Sequence, residues 1–328
     1  MANNYARKGW KVEIVLLLFN EIGYDLDSSV TVVDFTGTSE SRLRRLPYWL
    51  KSVRRYIKQG KHEVIVSFVA RINIIVLLAA FGLRRKIIIS ERNDPKHDGR
   101  KWPTKLLVKI LYPHAKAVIF QTDNVMSAFG KRIQKIGVKI LNPVYVPVHA
   151  DNLPEKKIVN VGRLSLQKNQ KLLIEAFGDI VDKYPEYTLW IYGCGELEDE
   201  LKKIASMLGI SKKVYFPGNV SNIHEQISDA EIFVLSSDYE GLSNALLEAL
   251  MMGIPCISTR CAGADEVIEH GINGLLVNVG DKEGLEEAIF SLIENEALKK
   301  FISRNAKEKS VCFSLDVVMK QWERVIEK

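Results

Sequence analysis

Short apolar runs alternate with helical patterns throughout the carboxyl half of the chain. Each run has the length of a buried strand, and together they comprise Ile158–Val161, Thr188–Tyr192, Val214–Phe216, Ile232–Leu235, Pro255–Ser258 and Gly274–Val277. After the first run, apolar residues recur at the spacing of one helix face, namely Leu172, Leu173, Ala176, Phe177, Ile180 and Val181. Strands that alternate with helices predict a parallel sheet with helices on both faces, in an α/β doubly wound domain.

The amino half repeats this pattern less regularly. Its strand candidates are Val12–Leu18, Val30–Asp34, Val64–Phe68, Lys86–Ser90 and Ala117–Gln121. The segment Asn142–Pro154 contains three prolines and predicts a linker. We therefore expect one domain over residues 1–148, a second over 149–310, and a last helix within 311–328 that packs back on the first domain. Two such domains would face a cleft and bind a ligand at the carboxyl ends of their strands.

Length and composition favour a cytoplasmic protein without a membrane span. The 328 residues suffice for two domains, and 47% apolar with 26% charged residues is typical of a globular chain. The longest apolar stretches, Ile14–Phe19 and Ile72–Leu83, are much shorter than the roughly 20 residues of a spanning helix. The four cysteines lack the close spacing of metal ligands, so we expect reduced thiols.

Charge divides the chain unevenly. Residues 1–150 carry a net charge of +15 and the remainder carries −9, which indicates an anionic partner for the amino half. Within it, residues 41–61 hold eight Lys or Arg and no acid, interleaved with Leu43, Leu46, Tyr48, Trp49, Leu50, Val53 and Tyr56. This stretch suits the inner surface of an anionic cell membrane, to which the protein would bind peripherally. A nucleic acid, or simply a helix that packs its apolar face on a sheet, is the alternative.

Two glycine-containing loops follow strands of the carboxyl half. The first holds Gly162 and Arg163, with Lys168 just before a helix that starts near Asn169. Two cations beside the free amides of a helix start suit a diphosphate. The second loop contains Gly193 and Gly195, which would let backbone amides approach a ligand, although two glycines also form ordinary turns.

The segment Ser236–Glu248 is more informative. Glu240 would lie in a loop after a strand and Glu248 two turns into the following helix, with the amides of Leu242, Ser243 and Asn244 pointing into the cleft. One carboxylate would then bind sugar hydroxyls and the other a ribose. The alternative is that Glu240 caps the helix and Glu248 is a solvated charge. The apolar neighbours of Glu248 argue against full solvation.

The pair Glu240-Gly241 and Glu248-Ala249 resembles the E-x7-E motif of retaining GT-B glycosyltransferases, in particular glycosyltransferase family 4. Further blocks resemble that family in the same order: Val161–Leu164 with Lys168-Asn169, Gly193–Gly195, Pro217–Val220, Gly253–Pro255 and His270–Gly274. The resemblance covers roughly residues 156–290 and is weaker before residue 140. It implies two Rossmann-like domains facing a cleft, hence the GT-B fold.

The resemblance also implies roles. Arg163 and Lys168 would bind the donor diphosphate and stabilise the leaving group, Glu240 would contact the donor sugar, and Glu248 the ribose. The base would lie on the backbone at Asn219 and Val220, and the other donor contacts would be Gly162, Gly193, Gly241, Leu242, Ser243 and Asn244. Such enzymes transfer a hexose from a UDP- or GDP-linked donor, need no metal, and retain anomeric configuration by front-face attack without a glycosyl-enzyme. Glu240 is therefore not expected to be a nucleophile.

The acceptor is expected in the amino half, and is a glycan or a lipid-linked glycan of bacterial surface polysaccharides. Glu91, Arg92 and Asn93 follow the strand Lys86–Ser90 and are the candidate contacts, unless they form only a polar turn. His97 is a weaker candidate base. The family's first strand and glycine-rich loop would precede Ala2–Gly9, so we expect an incomplete amino domain. An inactive nucleotide-binding relative and a nucleotide-sugar epimerase remain alternatives.

Overall fold

Three parallel β-sheets, flanked by helices, organise the protein. The computed structural model describes residues 1–18, 22, 25–36, 42–95, 98–146, 154–261 and 263–328. Two of the sheets lie in the amino half and the third in the carboxyl half. The α/β class predicted from the alternation of strands and helices is confirmed.

The amino half contains a two-stranded and a four-stranded sheet, in the orders β1-β2 and β3-β4-β5-β6. The strands are β1 (Glu13–Leu16), β2 (Thr31–Asp34), β3 (Val64–Phe68), β4 (Lys86–Ser90), β5 (Ala117–Phe120) and β6 (Gly137–Lys139). The helices are α1 (Ala2–Arg7), α2 (Arg42–Gln59), α3 (Ala70–Ala80), α4 (Trp102–Leu111), α5 (Asp123–Ser127) and α6 (Lys131–Gln134).

The carboxyl half forms one six-stranded sheet in the order β12-β11-β10-β7-β8-β9. Its strands are β7 (Lys157–Val161), β8 (Thr188–Tyr192), β9 (Val214–Gly218), β10 (Ile232–Leu235), β11 (Cys256–Thr259) and β12 (Leu275–Val277). Its helices are α7 (Gln170–Lys183), α8 (Glu198–Met207), α9 (Ile223–Ile227), α10 (Asn244–Met252), α11 (Ala264–Val267), α12 (Lys282–Glu294), α13 (Glu296–Ser310) and α14 (Leu315–Ile326). The strand order reverses between β7 and β10, which is where a doubly wound sheet opens a crevice.

The predicted strands agree with these bounds to within two residues at each end. The strand β6 was missed because its three residues are too short for an apolar alternation to show. The apolar stretch Ile72–Leu83 is mostly helix α3, and most of its side chains are buried. The predicted boundary at residue 148 lies outside the described residues, and the expected loss of a strand before Ala2–Gly9 stays a prediction.

Helix α2 packs part of its apolar face on the core, as the packed alternative for the basic stretch predicted, while Leu46 and Tyr48 stay exposed. Trp49, Val53 and Ile57 are buried in the amino-half core, where α2 lies against α3. The Arg54 guanidinium donates hydrogen bonds to the carbonyl oxygens of Ala79 and Phe81, both at 2.8 Å. These buried apolar side chains are therefore not free to enter a membrane. Within the described part of the chain, no helix is long and apolar enough to cross a bilayer.

The last helix, α14, contacts both halves of the molecule. Trp322 is fully buried in the core that joins β4 and β5 to α10, and its ring lies 6.1 Å from that of Phe68. The Lys86 ammonium donates to the carbonyl oxygen of Ile326, and Lys8 forms an ion pair with Glu323. Helix α14 therefore connects the strand β4 to the carboxyl half. The acceptor candidates Glu91, Arg92 and Asn93 follow this strand.

Replacing Trp322 by alanine tests whether α14 stabilises the contact between the two halves. Trp322→Ala should lower the free energy of unfolding by about 3–5 kcal/mol, because it removes a large buried side chain and leaves a cavity. Urea denaturation followed by circular dichroism measures the change. Trp102→Ala is the control, since the Trp102 side chain is exposed, and it should change that free energy by less than about 0.5 kcal/mol. Equal effects of the two substitutions would contradict the role of α14.

Candidate functional site

A cavity of about 590 Å³ lies between the two halves, at the carboxyl ends of β4, β5, β7 and β10. The side chains and backbone that line it come from both halves: Arg92, Gln121, Asn142, Pro143, Val161, Gly162, Arg163, Lys168, Glu240, Leu242, Ser243, Asn244 and Ala245. The structure thus brings together Gly162, Arg163, Lys168, Glu240 and the start of α10, which the family resemblance had predicted to form one donor site. We call this space the central cavity.

The loop after β7 presents Arg163 and Lys168 to the central cavity. Gln170, which is buried, donates a hydrogen bond to the Arg163 carbonyl oxygen at 3.0 Å. Asn169 caps α7 by accepting from the Leu172 amide at 3.3 Å, as expected of a helix start there. In the described part of the chain, the Arg163 guanidinium has no carboxylate within ion-pair distance. Its charge is therefore available to a ligand.

Glycines in the loop after β8 hold the Arg163 loop in place. Gly193 has φ of +125°, and a Cβ built there would lie 2.1 Å from the Gly162 carbonyl oxygen. A Cβ at Gly195 would lie 2.1 Å from the carbonyl oxygen of Leu164. Only glycine permits both this backbone conformation and this approach. Gly193 does not line the central cavity, so in this structure it supports the loop that does.

Lys168 and Glu240 form an ion pair at the wall of the central cavity. The Lys168 Nζ lies 2.5 Å from Glu240 Oε1, and the Ser237 hydroxyl donates to the same oxygen at 3.0 Å. Both side chains are largely buried, so their interaction is screened less by water than a surface pair. The carboxylate of Glu240 is thus oriented by two donors, one from each of two loops.

The loops around this pair are joined along their backbones. The amide of Asp238 donates to the Gln167 carbonyl oxygen at 2.9 Å, and the Gln167 side chain donates to the Tyr239 carbonyl oxygen at 2.9 Å. The Ser236 hydroxyl donates to the Lys168 carbonyl oxygen at 3.0 Å. Because each loop is bonded to the other, the positions of Lys168 and Glu240 are fixed jointly.

The start of α10 forms a further part of the wall. Ser243, not Glu240, caps this helix, since its hydroxyl accepts from the Leu246 amide at 3.4 Å. The alternative that Glu240 is a helix cap is therefore wrong. Within the described residues, the amides of Leu242 and Ser243 donate no hydrogen bond, although both residues are buried. Amides without acceptors beside a cavity, at the positive end of a helix, favour an anion there.

Glu248 and the predicted base site lie beyond the central cavity. The Glu248 carboxylate lies 3.3 Å from Nε2 of His224, a residue that was not predicted from the sequence. Burial raises the pKa of Glu248, and the neighbouring His224 opposes that shift. Glu248 is about a quarter exposed, so the solvated-charge alternative is not supported. Asn219 and Val220 lie between β9 and the helix α9, which carries His224.

Side chains from the amino half form one wall of the central cavity. Arg92 donates to Oδ1 of Asn142, whose amide donates to Oδ1 of Asn244 at 2.7 Å. The Arg92 guanidinium stacks on the Phe68 ring at 5.1 Å, and burial lowers its pKa to about 10. A Cβ on Gly241 would lie 2.7 Å from the Arg92 carbonyl oxygen, so the two halves touch there.

A second cavity of about 480 Å³ opens in the amino half and shares Arg92 with the first. Its lining is Leu18, Val69, Ala70, Arg71, Glu91, Arg92, Asn93, Asp98, Gly99, Arg100, Lys101, Pro103 and Thr104. Glu91 is held inside by the Tyr112 hydroxyl and by Arg100 at 2.8 Å. Burial raises the pKa of Glu91, while Arg100 and Tyr112 act in the opposite direction. His97 lies outside the described residues. We call this second cavity, as defined by its lining residues, the amino cavity.

The sequence model for the family "Glycosyl transferases group 1" matches residues 145–309, which is half of the chain. The chain belongs to the group 1 glycosyl transferases. This glycosyltransferase family membership confirms the transferase activity class predicted from the two glutamates, and it disfavours the epimerase alternative. In the described ranges, no group of three or more His, Cys, Asp or Glu side chains is placed to hold a metal ion.

Relatives and solved structures extend the similarity over both halves. A Campylobacter jejuni α-1,4-N-acetyl-D-galactosaminyltransferase, named for a diphospho-undecaprenol-linked glycan, is 29% identical over 97% of this chain and 90% of its own length. Anabaena HepE, solved with UDP, superposes with a TM-score of 0.79 at 21% identity over 91% of this chain and 86% of that one. A Thermosynechococcus elongatus sucrose-phosphate synthase superposes with a TM-score of 0.83 at 17% identity, over 99% of this chain and 90% of that one. The predicted GT-B fold is confirmed.

A pair of glycine substitutions tests whether Gly193 supports the Arg163 loop. Gly193→Ala should lower kcat/KM for glycosyl transfer by about 100-fold, because the new Cβ would displace the loop by an ångström or more. The control is Gly209→Ala, since Gly209 also has positive φ but nothing within 4 Å of a built Cβ. It should retain kcat/KM. Steady-state kinetics measures both, and equal kcat/KM in the two variants would contradict the assignment.

Proposed function

We propose that the protein is a retaining glycosyltransferase that moves a hexose from a UDP- or GDP-linked donor to a lipid-linked or glycan acceptor of a bacterial surface polysaccharide. The charge balance of the central cavity carries this proposal. Among the described residues, three cations line it, Arg92, Arg163 and Lys168, with a single carboxylate, Glu240. A cavity with this excess of positive charge favours an anionic ligand.

The donor diphosphate would occupy the space between Arg163, Lys168 and the start of α10. Arg163 has no ion pair in the described part of the chain, and the amides of Leu242 and Ser243 lack acceptors there. Cations and helix-start amides are the groups that bind phosphate oxygens with charge-assisted hydrogen bonds. The same groups would stabilise the negative charge that develops on the nucleoside diphosphate as the glycosidic bond breaks.

The Lys168–Glu240 pair would exchange partners when the donor binds. The Lys168 ammonium would turn from the Glu240 carboxylate to a phosphate oxygen, so that Glu240 could accept hydrogen bonds from the sugar hydroxyls. The hydroxyl of Ser237 would keep the carboxylate oriented during this exchange. Front-face attack by the acceptor would retain the anomeric configuration, with Glu240 as a contact to the sugar and not as a nucleophile. The cations of the cavity would take the place of a metal.

The nucleoside would extend from the diphosphate toward Glu248. Its carboxylate would accept hydrogen bonds from the ribose hydroxyls, and His224 at 3.3 Å would hold it in position. The base would lie against the backbone at Asn219 and Val220. HepE, a structural neighbour, was solved with UDP, which supports a uridine nucleotide as the first donor to test.

The acceptor would bind in the amino cavity. Arg71, Arg92, Arg100 and Lys101 line it against two acids, Glu91 and Asp98, so it too carries an excess of positive charge. The Campylobacter jejuni relative is named for an undecaprenol diphosphate-linked glycan, and a diphosphate of this kind would suit such a lining. We place the enzyme in the cytoplasm at the inner face of the membrane, with Arg92 and Asn93 as acceptor contacts and Glu91 as the residue that positions Arg100.

Removing either member of the Lys168–Glu240 pair should abolish most turnover. We expect Lys168→Ala and Glu240→Ala each to lower kcat about 10²- to 10³-fold, because each removes a contact to charge or hydroxyls in the transition state. Release of nucleoside diphosphate, coupled to acceptor glycosylation, measures the rate. Circular dichroism checks that the fold is unchanged.

The chain offers a matched control for this pair. Lys171 and Glu175 also form a Lys–Glu ion pair, at 3.8 Å, but on the exposed face of α7. Lys171→Ala and Glu175→Ala should change kcat less than about twofold, because an exposed pair contributes little. Normal turnover in Lys168→Ala or Glu240→Ala would show that the catalytic site lies elsewhere.

Nucleotide-dependent stabilisation tests the donor class without an acceptor. A nucleoside diphosphate at 100 times its dissociation constant should add about 2.7 kcal/mol to the free energy of unfolding. A thermal melt with UDP, GDP and ADP measures the shift, and UDP or GDP should stabilise the protein most. If neither UDP nor GDP raised the melting temperature, the proposed UDP- or GDP-linked donor would be contradicted.

A further inference from the structure

The helix α4 exposes a row of apolar side chains on its outer face. Trp102, Leu106 and Ile110 recur every four residues, so they form one stripe along the helix. They are 74%, 47% and 53% exposed. The opposite face is anchored, because Val108 and Leu111 are buried in the amino-half core. The exposed row is therefore a feature of a well-packed helix that no described element covers.

A row of lysines runs beside the apolar row. Lys101, Lys105 and Lys109 each precede a member of the apolar row by one residue, and all three are exposed. None of them forms an ion pair with a residue of the described ranges, and α4 contains no acid. Large apolar side chains beside unpaired cations are the pattern of a helix that lies in the interface of an anionic bilayer.

The same arrangement argues against a second copy of the chain as the occupant. A two-fold interface would bring the lysine row of one copy against that of the other, and like charges would repel. Anionic lipid headgroups instead complement the lysines, while the acyl boundary receives the apolar row. Tryptophan is itself favoured at the boundary between headgroups and acyl chains.

The position of α4 connects this surface to the amino cavity. Lys101, Pro103 and Thr104, at the start of α4, line that cavity. Beyond the other end of the helix, the exposed Phe81 ring lies 6.4 Å from the ring of His114. A bilayer in contact with α4 would therefore lie at the mouth of the amino cavity.

We propose that the outer face of α4 docks on an anionic lipid bilayer. Trp102, Leu106 and Ile110 insert at the headgroup boundary, and the lysine row contacts lipid phosphates. This surface would serve as the membrane contact of the basic half in place of α2, whose side chains Trp49, Val53 and Ile57 are buried. The inference extends the proposed function, because a docked bilayer would present a lipid-linked acceptor to the amino cavity, but the binding itself requires neither donor nor acceptor.

Vesicle cosedimentation of the full chain tests the docking. Binding to vesicles of phosphatidylglycerol and phosphatidylcholine should fall at least about tenfold in Leu106→Gln/Ile110→Gln and in Lys105→Glu/Lys109→Glu. Wild-type binding should weaken with salt and be minor on phosphatidylcholine alone. The apolar control is Met207→Gln/Phe301→Gln, whose side chains are 86% and 42% exposed on the other half. The charge control is Lys203→Glu/Lys212→Glu, and both controls should bind like the wild type.

Fluorescence quenching by brominated lipids locates the contact. Trp102 is far more exposed than the tryptophans at 10, 49, 190 and 322, so it should account for most of the quenching on anionic vesicles. Trp102→Phe should lose that quenching while it still cosediments. Wild-type binding that survives both double substitutions on α4, or equal quenching in Trp102→Phe, would overturn the proposal.

Two further measurements separate this inference from the proposed function. Sedimentation equilibrium without lipid should give the same mass for wild type and Leu106→Gln/Ile110→Gln, and a smaller mass for the variant would assign the face to a second copy instead. Transfer to a water-soluble acceptor analogue should be unchanged in these α4 variants, because none of the substituted residues lines the central cavity or the amino cavity. Loss of vesicle binding with intact transfer supports the docking surface, whereas absent transfer in the wild type would contradict the proposed function alone.

Discussion

The electrostatic imbalance of the central cavity is the constraint on which the structure depends. Arg92, Arg163 and Lys168 are held at one place by loops that follow strands, and Glu240 is the one carboxylate that offsets them among the described lining residues. Cations that are partly removed from water repel one another more strongly than they would in solvent. The fold maintains them by hydrogen bonds between loops and by the close contact of Gly193 with Gly162. An anionic ligand would relieve this repulsion, which is the physical reason for proposing that a diphosphate binds there.

The two halves share the site instead of merely facing it. Asn142 bonds both Arg92 and Asn244, and so connects the end of β4 to the start of α10. Trp322 on α14 is buried in the core that contains residues of both β4 and α10. Because the groups proposed to bind the donor and the acceptor are bonded to one another, occupation of one cavity is expected to affect the other through Arg92, which lines both.

Much of the carboxyl half was predictable because its signals are local. About twenty consecutive residues hold strand β10, the loop with Glu240 and the helix α10. Their glycine, carboxylate and apolar residues have the spacing of the glycosyltransferase motif that the sequence resembles. Asn142, Gln121 and His224 were missed, since their partners are distant in sequence; Asn142 and Asn244 are 102 residues apart. The sequence placed the predicted membrane contact in residues 41–61, because charge and amphipathicity do not show which face of a helix packs on the core. Packing against α3 buries Trp49, Val53 and Ile57 of α2, while the apolar row of α4 is exposed.

Calorimetric comparison of UDP with UMP tests the central claim most directly, because the two ligands differ only in the terminal phosphate. If Arg163 and Lys168 bind the diphosphate, wild type should bind UDP about 10- to 100-fold more tightly than UMP, and this ratio should fall below about threefold in Arg163→Ala/Lys168→Ala. The affinity for UMP itself should change much less. An unchanged ratio in the double variant would contradict the account, since the terminal phosphate would then be recognised by other groups.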